Sequence, residues 1–105
     1  MCWNATSQDV IDHIVFAGAD DYDWYVDLHV DGDTIVCAME NPDDPNSVIQ
    51  AEMPANALRL LVNKYVSEER PGYKHIVRAI KDDDFDANDA DIVLQWWVLG
   101  DVVYG

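Results

Sequence analysis

A chain of 105 residues has room for one hydrophobic core and not two. Half of its residues are hydrophobic, too many for a disordered acidic tail even at a formal charge of −15. No apolar run approaches the roughly 20 residues that a membrane-spanning helix needs. The opening Met1-Cys2-Trp3-Asn4 has no basic start followed by an apolar stretch, so a secretory signal is not expected. The expectation is one cytoplasmic domain over residues 1–105.

The first periodic segment follows Ser7, a good helix N-cap. Val10, Ile11, Ile14 and Val15 recur at helical spacing until Gly18, which predicts a helix over 8–17. Asp31-Gly32 then reads as the centre of a two-residue type I′ turn. That turn pairs Val30 with Asp33, Leu28 with Ile35, Val26 with Cys37 and Trp24 with Met39, so every pair past the first is apolar. On the other face it pairs His29 with Thr34, Asp27 with Val36, Tyr25 with Ala38 and Asp23 with Glu40. The segment 41–46 is a loop by its Asn, Pro and Asp content. Val48 to Met53 reads as a third strand with Ile49, Ala51 and Met53 inward, which completes an antiparallel meander with one face covered.

Pro54 suits the first turn of a helix, and Leu58, Leu61, Val62 and Tyr65 carry that helix over 55–68. Pro71-Gly72 breaks it. Tyr73, Ile76, Val77 and Ile80 repeat the spacing in a third helix whose opposite face holds Lys74, Arg78 and Lys81. Asn88 and Asp91 are spaced as a capping pair for a fourth helix ending at Leu99, before Gly100. Its residues 92–99 are apolar on nearly every side, a pattern that a buried strand would also give. The fold class expected is α+β: an N-terminal helix, a three-stranded antiparallel meander, then three helices packed on one sheet face.

Charge is segregated along the chain. The first 58 residues hold twelve carboxylates and no Lys or Arg, residues 59–81 hold all six basic residues, and residues 82–105 hold seven Asp and no base. Such a chain repels nucleic acid and attracts basic proteins. The exposed candidates for contact with a basic partner are Asp20, Asp21 and Asp23 in the first acidic block and Asp82, Asp83, Asp84 and Asp86 in the second. Trp96 and Trp97 point about 100° apart on a helix. Both can be buried only if the helix is central; otherwise one is an aromatic anchor for a partner or for a homodimer.

Catalytic and metal patterns are weaker. Cys2 and Cys37 form no CxxC pair and read as reduced thiols, with Cys37 packed inward, while His13, His29 and His75 lack zinc-ligand spacing. Asp82, Asp84, Asp86 and Asn88 imitate the start of a calcium loop, but Ala87 replaces the required Gly and Val93 the bidentate Glu; starting instead at Asp84 puts Asp89 and Gln95 at those positions. The cluster reads as a solvated helix cap. Tyr25, Asp27 and His29 share a strand face, where Asp beside His could serve a metal-dependent enzyme, yet no nucleophile or third ligand accompanies them. No phosphate-binding glycine loop or dinucleotide fingerprint is present, and neither a cofactor nor a metal is expected.

The last twenty residues, Asp86 to Gly105 with Asp-Ile-Val-Leu-Gln-Trp-Trp-Val-Leu-Gly-Asp at their centre, resemble the endings of small acidic proteins encoded by actinobacterial phages. The resemblance brings no catalytic residues; it implies a mobile-element origin and action by binding a host component. The functional expectation is a non-enzymatic acidic module that binds a basic protein, in its sharpest form a DNA mimic whose carboxylates stand in for phosphates. The alternatives are an acidic housekeeping domain adapted to high salt, consistent with Asp dominance, and a metal-dependent enzyme using Asp27 and His29.

Overall fold

The computed structural model describes residues 2–105. In chain order it forms α1 (Ser7–Ile14), a 3-10 turn (Ala19–Asp21), β1 (Tyr25–Asp31), β2 (Thr34–Asn41), β3 (Asp44–Pro54), α2 (Ala55–Ser67), α3 (Tyr73–Asp82) and α4 (Ala87–Leu99). The strands make one antiparallel sheet in the order β1-β2-β3. The expected α+β meander is therefore present, and residues 92–99 are helix rather than strand. No helix is long and apolar enough to cross a membrane among the described residues.

The hairpin register differs from expectation by one position in the turn. Asp31 pairs with Thr34, Val30 with Ile35, His29 with Val36, Leu28 with Cys37 and Asp27 with Ala38. The loop is thus Gly32-Asp33, and Gly32 alone has positive φ, +63°. A single positive φ with Gly at the first central position is the type II′ arrangement, so Gly32 sets the turn by itself. A bulge then falls at Val26, and Tyr25 opposes Met39. The bulge removes Val26 from the ladder and leaves it 56% exposed, while it turns Tyr25 inward. The expected pairing of Val26 with Cys37 is overturned. β3 begins earlier than expected, at Asp44, and alternates from Asn46 onward, with Ile49, Ala51 and Met53 half-buried and Met53 packed on the core.

Two helix starts also sit elsewhere. Thr6, not Ser7, caps α1: its hydroxyl accepts from the Asp9 amide while the Asp9 carboxylate accepts from the Thr6 amide. Asp86, not Asn88, caps α4 in the same reciprocal way with Asp89.

The core forms around α4. It touches α1, α2, α3, the 3-10 turn and the inner face of β2 and β3. Val93, Leu94, Gln95 and Trp96 are wholly buried. A helix that is apolar all round is stable only when neighbours cover every side. Trp96 donates its indole N–H to the Pro71 carbonyl at 2.9 Å and meets Tyr65 edge-on. α3 approaches α4 so closely that a Cβ at Gly72 would lie 2.9 Å from Ile92 Cγ2, and the backbone there has φ +93°; both require Gly. The N-terminal segment is held as well. Trp3 is buried, stacks on Phe85 at 4.9 Å, and exchanges backbone hydrogen bonds with the Asn63 side chain.

Candidate functional site

The fold unites acidic segments that are far apart in sequence. The turn after α1 packs against the start of α4, with the place for a Cβ at Gly18 lying 3.9 Å from Ala87 Cβ. His13 at the end of α1 meets Asp83 at 3.0 Å. The turn that carries Asp20, Asp21 and Asp23 thus adjoins, through Gly18 and Ala87, the segment that carries Asp82, Asp83, Asp84 and Asp86; all seven are exposed, and Asp20 turns toward Leu28 and His29 of β1. Asp83 itself caps α3 with φ +51°, a backbone state that Asp tolerates better than most residues. Across the described residues every carboxylate except Asp89 and Asp91 is exposed. The only ion pair formed by a Lys or Arg among them is Arg70 with Glu68, at 2.9 Å. Among the described residues no Lys or Arg forms an ion pair with the carboxylates of this end, and Asp83 has only His13.

Asp91 does something different. Its Oδ1 accepts from the Trp24 indole N–H at 2.9 Å and from the Tyr25 hydroxyl at 2.7 Å, and its Oδ2 accepts from the Gln95 amide at 2.8 Å. Burial, then the hydrogen bond and charge of Asp91, push the Tyr25 phenol well above its usual range, which keeps it a donor. Gln95 continues the chain of contacts: its Oε1 accepts from the Val103 and Tyr104 amides, both at 2.8 Å, and its Nε2 also donates to the Tyr104 carbonyl. Tyr104 in turn donates to the Glu40 carbonyl and stacks on Trp24 at 5.2 Å, while Tyr22 stacks on Trp24 at 4.7 Å. These rings, with Asp91, Asn88 and His75, line an open cleft of about 350 Å³. One buried carboxylate and one buried amide thereby fasten the final segment of the chain and shape the cleft beside it.

The remaining expected residues fall in less productive places. Trp96 is wholly buried and Trp97 half-buried, so neither is the exposed anchor that adjacent tryptophans could have supplied. Asp27 and His29 do pair, at 2.7 Å, on the uncovered sheet face. Among the described residues no three His, Cys, Asp or Glu side chains stand close enough to hold a metal ion. Cys37 is buried and its thiol is pushed up to about 12, first by burial and then by Asp27 and Asp91; Cys2 is exposed. Sequence reasoning missed the cleft. Its signal in the sequence is the interleaving of Asp and aromatic residues over 20–25, a pattern that an exposed turn leading into a strand also gives. No family model, curated protein or solved structure matches the chain.

Proposed function

We propose that the protein is a non-enzymatic, cytoplasmic interaction module whose acidic end binds a basic protein. The observation that carries this reading is that the turn bearing Asp20, Asp21 and Asp23 packs through Gly18 on Ala87, next to the segment bearing Asp82, Asp83, Asp84 and Asp86, with no Lys or Arg paired to any of these exposed carboxylates among the described residues. Solvated carboxylates with no Lys or Arg partner attract a positive surface over a screening length, which raises the association rate and selects the sign of the partner. A partner that itself binds nucleic acid fits best, because its phosphate-binding side chains would meet carboxylates instead. The resemblance of the C-terminal segment to phage-encoded acidic proteins agrees with a role in occupying such a host protein.

The test uses a basic protein captured from lysate on the immobilised module. Its association rate should fall steeply between about 0.05 and about 0.5 M salt, as the screening length shrinks from more than 10 Å to a few ångström, with little change in dissociation rate. An association rate indifferent to salt would contradict the proposal.

A further inference from the structure

The acidic end steers, but exposed carboxylates alone hold a partner weakly. The aromatic cleft lies next to that end. Asn88 and Asp91 occupy the first two turns of α4, just beyond its cap Asp86, and Tyr22 follows directly on Asp20 and Asp21. We infer that this cleft receives the guanidinium of an arginine side chain carried by the basic partner, an inference that rests on the reading of the acidic end as a protein-binding surface.

Asp91 is the first ground for this. It is 4% exposed, lines the cleft, and accepts three hydrogen bonds, all from uncharged donors. A carboxylate offers about four acceptor positions, and Oδ2 of Asp91 has one left without a donor. No Lys or Arg lines the cleft to neutralise it. Charge-assisted hydrogen bonds in a partly dry site are roughly twice as strong as neutral ones.

The walls are the second. Tyr22 and Tyr104 each stack one ring face on Trp24. Cations are attracted to aromatic faces, and a planar, weakly hydrated guanidinium lies against rings better than a compact ammonium does. Size and field point the same way. About 350 Å³ stands near the lower end of the range for small-ligand sites, enough for one side chain and little more. The surrounding charge of −15 excludes anions. His75 and Asn88 supply a polar rim where the partner's backbone can end its hydrogen bonds.

The experiment titrates N-acetyl-L-arginine N-methylamide into the isotope-labelled protein and follows the Trp24 indole N–H by NMR. The neutral isostere N-acetyl-L-citrulline N-methylamide serves as the control. The expected result is a saturable shift at Trp24 and Tyr104 with the arginine probe, at least about tenfold weaker with citrulline. Asp91→Asn should abolish it. Because that change also touches the donors behind the cleft, Tyr22→Ala provides a second variant, with the rest of the spectrum retained and affinity lowered about fivefold. Equal responses to both probes, or arginine shifts confined to Asp82–Asp86, would overturn the inference. Reversing Asp82 and Asp84, which do not line the cleft, should weaken the probe far less than Asp91→Asn does, because only screened charge acts on it from there. Failure of the cleft thus reads separately from failure of the acidic surface: the first abolishes probe binding, the second only the salt-dependent capture of the partner.

Discussion

Two sets of aspartates lie within ten residues of each other and do opposite work. Asp82, Asp83, Asp84 and Asp86 are exposed and have no Lys or Arg partner, whereas Asp89 and Asp91 are buried on the first turns of α4. Water screens the first set, so apart from the cap that Asp86 gives α4 its charges cost little and contribute little to folding. The second set lies where water does not reach, so each oxygen must be answered by the protein. Asp91 is answered three times. Asp89 is answered once: its Oδ2 closes the capping box with the Asp86 amide, and its Oδ1 has no partner. The same residue type is therefore surface charge before α4, or, within its first turns, an organising acceptor at Asp91 and a half-satisfied member of the capping box at Asp89.

The largest expected effect breaks the buried half of this comparison. Asp91→Ala leaves the Trp24 indole N–H and the Tyr25 hydroxyl without a partner in a dry site and frees Gln95 to move. Unsatisfied buried donors cost about 1–3 kcal/mol each, so the variant should lose about 3 kcal/mol in urea unfolding, with the C-terminal segment loosened. A loss under about 1 kcal/mol would mean that Asp91 does not organise the cleft.

A smaller effect distinguishes Asp89 from Asp91. Burial, and the neighbouring charge of Asp86, raise the Asp89 carboxyl above its usual value of 3.8, with Arg78 pulling the other way. A carboxyl raised in the fold takes up its proton in the folded chain first, so stability should rise as pH falls through the raised value. The gain is complete near 3.8, where the unfolded chain protonates as well. Urea midpoints compared at neutral and mildly acidic pH should show this gain, and Asp89→Asn should flatten it. General relief of charge repulsion acts in the same direction in both proteins, so an identical slope in the variant would refute the assignment.

How far the sequence reached depended on whether the signal was local. α2 and α3 were legible to within a residue or so because each presents one apolar stripe and one polar face. The strands were legible too, but not their turn. Moving the loop from Asp31-Gly32 to Gly32-Asp33 shifts the partners by two, and a shift of two keeps Leu28 and Val30 on the covered face. Hydrophobic alternation could not distinguish the two registers. The bulge at Val26 has no sequence signature of its own. In the cap of α4, Asp86 with Asp89 and Asn88 with Asp91 have the same spacing; only the structure shows the second Asp committed to Trp24 and Tyr25. The acidic end was legible as two charged blocks, and their meeting was not. The cleft draws Tyr22, His75, Asp91 and Tyr104 from four separate segments, and a contact that exists only after folding leaves no periodic trace.

The claim that position, and not total charge, makes the acidic end a binding surface is tested most directly by two triple reversals of equal charge. One carries Asp21→Lys, Asp82→Lys and Asp84→Lys at the acidic end; Asp83 is left in place because its φ of +51° would strain Lys there. The other carries Asp31→Lys, Asp33→Lys and Glu52→Lys, at the β1–β2 turn and on β3. All six sites are exposed, so each protein should keep its stability within about 0.5 kcal/mol per substitution. Measured against the captured basic partner at the same salt, the first should bind at least about tenfold more weakly, chiefly through slower association, and the second within about threefold of the parent. Equal weakening by both would contradict the account, and would leave the negative surface as a property of the whole protein rather than a site.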